Sequence, residues 1–355
     1  MNRFHTRGRI ALIGALLTAA FVPAAAQNAA PLDGSSYFLP RTALRFTLLV
    51  EKSQYVPGEL AAYSERYLRE QVSDQPETVY RIVSVGMTTH GVPDTARVYT
   101  ARIDAKHNIT ELHKSPEGLL RAINIAPPAA PEAAAPLPLR RASTNAAAPY
   151  LSQEMAAAGN AAAKAAIAAD ELFALRDSRS RLIRGEADNA PSGEAQLRLM
   201  LGRLDEQETA LLQLFRGTRS VDTLQTVVDC IPDPAQPQAV LFRFSRHFGL
   251  TSADDLSGEP CRIVITDLHS VPAATDADAR ERKGDAGVRA CLPGKIAISL
   301  QRNGHETEHF ETYAAQFGRI EPVAPELFNK KVETKILFNT ATGAIETITS
   351  EQKKQ

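Results

Sequence analysis

Apolar and polar residues alternate over 42–52: Leu44, Phe46, Leu48 and Val50 fall on one side, Arg45, Thr47 and Glu51 on the other. A period of two puts successive side chains on opposite faces of an extended chain, so this stretch predicts a half-buried strand. Pro57-Gly58 marks a turn. Residues 59–68 then predict a short helix, with Leu60, Ala61, Tyr63, Tyr67 and Leu68 for its apolar face. Further strands are predicted over 79–88 and 96–103, separated by a turn at Gly91-Val92-Pro93-Asp94, with a short one at 109–112.

The period changes after residue 150. Residues 151–184 hold no proline, many alanines, and apolar residues at Ile167, Leu172, Leu175, Leu182 and Ile183, which predicts a long helix. Residues 185–193 break it. A second helix is predicted over 192–215, with Leu197, Leu201, Leu204, Leu211, Leu212 and Phe215 near helical spacing, Ser192 as N-cap and Gly217 as the stop. Two helices joined by so short a connection pack antiparallel. From Leu224 the pattern is β: 227–231, 239–245, 261–268, 287–292 and 296–302 all qualify, and 332–338 and 344–348 form a closing hairpin around 339–343.

The segment 126–149 departs from both patterns. Six prolines and many alanines leave almost nothing to pack, and such composition favours an extended, solvated linker or disordered insertion. Arg140-Arg141 within it is a candidate protease nick site. The fold class is therefore α+β: a β-rich N-terminal region (37–125), the linker (126–149), a long antiparallel helical hairpin (150–217) and a C-terminal β-sandwich-like domain (218–350). The pattern leaves open whether 37–125 fold independently or complete a sheet with the C-terminal strands.

Composition changes the picture mainly at the start of the chain. Arg3, Arg7 and Arg9 precede an apolar run over 10–22, Pro23, and then Ala24-Ala25-Ala26. That is the layout of a cleaved signal peptide over residues 1–26, followed by a flexible leader over 27–36. The run is shorter than the roughly 20 residues a bilayer span needs, and no Cys near the cut supports a lipidated first residue. The expectation is a soluble exported protein of the periplasm or cell surface, with no transmembrane segment. A net charge of −1 and a pI near 6.7 exclude a strongly basic nucleic-acid binder. An oxidising compartment permits one disulfide among Cys230, Cys261 and Cys291, but the odd number and wide spacing favour buried thiols on strands.

The order of short motifs over most of the chain resembles an uncharacterised family of exported Bacteroidota proteins, domain of unknown function 4831. The residues that carry it are Tyr37-Phe38-Leu39-Pro40, Val50-Glu51-Lys52 and Tyr55-Val56-Pro57-Gly58. In the helices they are Arg176, Arg179, Leu182, Gly185-Glu186, Leu204, Glu208 and Leu214-Phe215-Arg216-Gly217. Phe244-Ser245, Ser257-Gly258-Glu259-Pro260, Ala315-Gln316-Phe317-Gly318 and Thr342-Gly343 complete the set. The linker at 126–149 departs from the family in length and composition. The resemblance implies export and cell-envelope residence and brings no catalytic residues with it. It also makes Asp94-Thr95-Ala96 and Asp222-Thr223-Leu224 matches to a glycosylation pattern used on exported proteins in that phylum.

One motif carries chemistry. His305-Glu306-Thr307-Glu308-His309 satisfies H-E-x-x-H and its inverted form, in which two imidazoles one helical turn apart grip Zn²⁺. Phe310, Tyr313, Ala314 and Phe317 have helical spacing. Asn303-Gly304 immediately before the motif, after an alternating strand, is instead a tight-hairpin signal. On a return strand His305 and His309 stand about 13 Å apart, too far for one ion. The strand is the expectation here, with His305, Glu308 and His309 kept as the candidate metal ligands. Asp254-Asp255 with Glu259 form a weaker Ca²⁺ candidate better explained as a turn, Ser245 and His247 a turn after a strand, and Asp276, Asp278, Glu281 and Asp285 a solvated loop.

No catalytic residue and no cofactor is assigned on these grounds. Three functions follow from the pattern: a non-enzymatic module binding an envelope protein or glycan, a metal-dependent hydrolase using His305, Glu306, Glu308 and His309, or a purely structural envelope component.

Overall fold

The computed structural model describes residues 34–103, 108–129, 151–187, 193–272 and 285–352. The expected signal peptide, most of the expected leader, Arg140-Arg141 and Ser192 lie outside them. The described residues mix 23% helix with 48% strand in several antiparallel sheets. In chain order the strands begin with β1 (Gly34–Tyr37), β2 (Pro40–Val56), β3 (Glu77–Pro93), β4 (Tyr99–Arg102), β5 (Leu112–Lys114) and β6 (Leu120–Ile123). A 3-10 turn at Ala61–Tyr63 and helix α1 (Ser64–Leu68) interrupt them. Helices α2 (Gln153–Ala157), α3 (Ala161–Arg184) and α4 (Glu194–Arg216) follow. The chain ends with β7 (Thr218–Cys230), β8 (Gln238–Ser245), β9 (Gly249–Thr251), β10 (Glu259–Asp267), β11 (Arg289–Arg302), β12 (His305–Pro322), β13 (Val332–Phe338) and β14 (Ile345–Gln352).

The strand order is β3-β2-β7 in one sheet and β12-β11-β10-β8-β9 in a second. A third runs β14-β13-β6-β5, and β1 pairs with β4. The alternation in β2 does what its period demands: Leu44, Phe46, Leu48 and Val50 are at most 3% exposed. They meet Phe242, Phe244, Ile263, Ile265, Ile296, Ile298 and Leu300 from the five-stranded sheet in one core. Burying each such side chain stabilises by about 2 kcal/mol.

The N-terminal strands do not stand alone. β7 pairs with β2 along its whole length, and β13 pairs with β6. A second core joins Tyr37, Leu39, Ala101, Leu120 and Ile123 to Val288, Phe328, Ile336 and Phe338. Tyr37 ties the two ends directly: its hydroxyl donates to the Gly287 carbonyl (3.0 Å) and accepts from the Arg289 N–H (2.7 Å). The segments 37–125 and 218–350 therefore share sheets and cores.

The helices pack against one another and against the segment after β2 through Leu60, Met155, Ala165, Ala168, Ala169, Leu172, Leu211 and Phe215. α3 and α4 run in opposite directions, since Arg176 pairs with Glu208 (2.7 Å) and Arg179 with Asp205 (3.1 Å).

Several boundaries differ from the pattern-based expectation, each for a physical reason. Strand β1 begins at Gly34, inside the expected leader, because pairing with β4 satisfies its backbone. β3 runs straight through Gly91–Pro93, opposite Pro40–Thr42, and the turn comes after it. Gly91 is needed there for close approach, since a Cβ would lie 1.9 Å from the Thr340 carbonyl oxygen. The long helix over 151–184 is two helices, because Asn160 caps α3 by accepting from the Ala163 N–H (2.8 Å). The strands expected at 287–292 and 296–302 are one strand, β11, carried across Pro293-Gly294 by a bulge. Asp285, expected in a solvated loop, is only 4% exposed and paired with Arg289.

Candidate functional site

The 305–309 cluster occupies the tip of a hairpin. Asn303 and Gly304 both take positive φ (52° and 78°), the backbone a two-residue hairpin turn requires. His305 then begins β12, and residues 310–317 continue the strand rather than form a helix. The register fixes where each side chain goes. His305 faces Arg302, Glu306 faces Gln301, Glu308 faces Leu300 and His309 faces Ser299, with Thr307 inserted as a bulge. Because cross-strand partners share a face, His305 and Glu308 lie on one side of the sheet and Glu306 and His309 on the other. The two imidazoles therefore sit on opposite faces. The bulge brings His309 Nδ1 to 2.9 Å from Glu306 Oε1, an exposed pair. Among the described residues no three His, Cys, Asp or Glu side chains are grouped to hold a metal ion.

The other weak candidates are also placed by local geometry. Asp255 Oδ1 accepts from the Ser257 N–H (2.9 Å), and that bond holds its carboxyl below the usual range. Glu259 accepts from the Asn303 amide (2.9 Å). Ser245 Oγ accepts from the His247 N–H (3.2 Å), which makes the pair a turn. Thr95 lies exposed in the turn after β3, whereas Thr223 lies within β7 opposite Glu51. Asp276, Asp278 and Glu281 fall outside the described residues.

A cleft of about 690 Å³ opens elsewhere, where the start of β2, the turn between β3 and β4, and the far ends of β11 and β12 meet. Four arginines line it, Arg41, Arg97, Arg289 and Arg319, together with Asp94. The Arg289 guanidinium donates to both oxygens of Asp285 (2.9 and 2.7 Å). Burial pushes the Asp285 carboxyl upward, but Arg289 and the Gly287 N–H outweigh it and hold the carboxyl below its ordinary value. Arg319 pairs with Glu321 (2.5 Å), and Arg97 stands 3.9 Å from Asp94. Arg41 is half-buried and has no ion-pair partner among the described residues.

The floor of the cleft explains how these arginines are positioned. β11 and β12 lose register between Leu292 and Gly294, so Ala315–Gly318 bulges out opposite Pro293. Gly318 permits the crossing, since a Cβ there would lie 1.9 Å from the Leu292 carbonyl oxygen. Gln316 then reaches across to β2: its amide oxygen accepts from the Thr42 N–H (3.0 Å), and its amide nitrogen donates to the carbonyls of Thr42 and Pro232 (both 2.9 Å). Arg41 and Arg319 flank that latch in sequence. Planar guanidinium groups facing one space match the oxygens of carboxylates and phosphates. Burial pushes the thiol of Cys291, also in the wall, up to about 12.

A family model described as a domain of unknown function, DUF4831, matches residues 33–346. The chain belongs to the DUF4831 family. No curated protein and no solved structure matches it. In this DUF4831 protein the short motifs noted in the sequence fall at backbone junctions. Pro57-Gly58 abuts the end of α4, where the Leu60 N–H donates to the Leu214 carbonyl (2.8 Å) and Ser64 Oγ to the Phe215 carbonyl (2.9 Å). Gly217 turns the chain there with a φ of 74°. Arg176 and Arg179 bind Glu208 and Asp205 across the helices. Gln316-Phe317-Gly318 builds the floor of the cleft. Of the four cleft arginines, Arg41 and Arg319 directly follow two of those motifs, Tyr37-Phe38-Leu39-Pro40 and Ala315-Gln316-Phe317-Gly318, whereas Arg97 and Arg289 adjoin none of them. No spacing in the sequence marks the four as a group.

The three thiols of the DUF4831 chain are all free. Burial pushes Cys261 up to about 11 and raises Cys230 as well. No helix among the described residues is long and apolar enough to cross a membrane.

Proposed function

We propose that this DUF4831 protein is exported to the cell envelope and works there by binding, not by catalysis, with the arginine-lined cleft holding an acidic group of an envelope protein or glycan. The signal-peptide layout of residues 1–26 supports export. We further read the three- and five-stranded sheets as a β-sandwich-like body and α3–α4 as a helical hairpin attached to it. The observation that carries the binding reading is the convergence of Arg41, Arg97, Arg289 and Arg319 on one space that also contains Asp94. Two of the four are already oriented by carboxylates, Arg289 by Asp285 and Arg319 by Glu321, so those side chains are fixed in direction before any ligand arrives.

The test is calorimetric titration of the purified protein with a uronic-acid oligosaccharide, and separately with inorganic phosphate, at low and moderate salt. Micromolar to millimolar binding that weakens with salt is expected. Arg41→Ala removes the guanidinium without an ion-pair partner. It should weaken binding roughly tenfold, the loss of one hydrogen bond to a charged group, while leaving the thermal midpoint within about a degree. Binding unchanged in Arg41→Ala and in Arg319→Ala overturns the assignment of the cleft. N-terminal sequencing of the envelope fraction should begin at Gln27, and an uncleaved cytoplasmic product overturns export.

A further inference from the structure

The arginine-lined cleft does not end at Arg289. A further hollow of about 210 Å³ shares Tyr99 and Arg289 with it and is lined also by Val98, Thr100 and Arg102. The strand pairings set these residues in a row. β1 runs antiparallel to β4, with Gly34 opposite Arg102 and Tyr37 opposite Tyr99. Arg289 is tied to the same point, since its backbone N–H donates to the Tyr37 hydroxyl (2.7 Å). Asp94 comes next, its N–H donating to the Leu39 carbonyl (3.0 Å), and Arg41 follows at the start of β2. From Gly34 to Arg41 the chain spans at most about 25 Å. Arg102, Arg289 and Arg41 are therefore successive stations along one strand path. Arg102 at one end is exposed and, like Arg41 at the other, makes no ion pair among the described residues. A single carboxylate or phosphate group meets one station, and only an elongated anion meets all three.

The other groups in the row select among elongated anions. Asp94 places a carboxylate in its middle, which repels an unbroken polyanion but accepts hydrogen bonds from hydroxyl groups. Tyr99, at the junction of cleft and hollow, carries an aromatic ring held by stacking on Tyr37 with centroids 5.8 Å apart. Hydroxyls, apolar C–H faces and a carboxylate recur in every unit of a polyuronate. We infer, resting on the reading of the cleft as an anion site, that cleft and hollow form one track whose ligand is a linear acidic glycan with carboxylates on successive sugars.

Calorimetric titration of the purified protein with galacturonate, and with its linear oligomers up to the hexamer, tests the track at one moderate salt concentration. The hexamer should bind about a hundredfold tighter than the monomer, two further charge-assisted contacts at roughly tenfold each. Six equivalent units at a one-anion site would give only about sixfold by statistics. Arg102→Ala should cut the hexamer-to-monomer ratio about tenfold. Val98→Glu places a negative charge on a hollow-lining residue that is 60% exposed, and should cut the ratio too. It carries the test should Arg102→Ala unfold. A ratio of about six, or one unchanged in both variants, overturns the track and leaves the cleft standing as an anion site. Failure of monomer and hexamer alike to bind overturns both. A linear polyphosphate of equal charge that binds tighter than the hexamer overturns the choice of a glycan.

Discussion

The β body and the outer half of the helix pair are built from similar residues and covered very differently. In β2 every inward position from Leu44 to Val50 is sealed by the sheet opposite. In the outer helices Leu175, Leu182, Met200 and Leu204 are only half-buried, and Ile183 is 64% exposed. A strand meets neighbours on both edges and a second sheet on its face. A helix in an isolated pair meets one neighbour, so most of its surface stays in water however apolar it is. Apolar periodicity therefore reports which face is meant to be covered, and the structure reports whether this chain covers it.

The largest expected effect is in the body. Phe46 lies fully buried, with the Phe310 ring edge-on at 6.2 Å. Phe46→Ala removes that packing and leaves a cavity between two sheets that cannot close. It should cost about 3–5 kcal/mol in urea unfolding. The same change at Leu204 should cost about 1 kcal/mol, because the site is already open to water. Equal costs at the two positions would break the comparison.

Next in size is the ion pair behind the cleft. Asp285→Asn leaves Arg289 partly buried without its carboxylate and should cost about 3 kcal/mol at neutral pH. The folded carboxyl titrates below its unfolded value near 3.8, so the stability it contributes is present above that value and is lost as pH falls through the lower, folded one. The difference between wild type and Asp285→Asn should thus be flat from pH 7 to about pH 5 and close only below about pH 4. A gap that closes nearer neutrality would show that another group carries it.

How much of this was legible in the sequence depended on distance along the chain. The alternation of β2, the two long helices and the Asn303-Gly304 turn are local patterns, and local backbone preference decided them. The turn also placed the H-E-x-x-H motif on a strand before any coordinates, although the Thr307 bulge that separates the two imidazoles onto opposite faces left no mark. Gly91 read as part of a turn and 293–295 were left between two expected strands, yet both lie in strands, because close backbone approach and bulges call for the same residues as turns do. Asp285 read as solvated because its neighbours in sequence are charged, while its partner across a tight turn is what buries it. The cleft was invisible: Arg41, Arg97, Arg289 and Arg319 come from four elements that only tertiary pairing brings together.

The smallest expected effect sharpens the comparison most. Gly202 sits inside α4 with nothing within 4 Å of where a Cβ would stand. A helix-interior glycine costs about 1 kcal/mol relative to alanine, and here no packing demand offsets it. Gly202→Ala should therefore stabilise α4. If the outer helices open separately from the body, the gain belongs to that local opening. Hydrogen exchange of the amides around residues 198–206 should slow roughly fivefold, while the urea midpoint of the body moves little. A rise of the full 1 kcal/mol in global unfolding would instead show that helices and sheets unfold as one unit, and that the outer helices are no weak point of the fold.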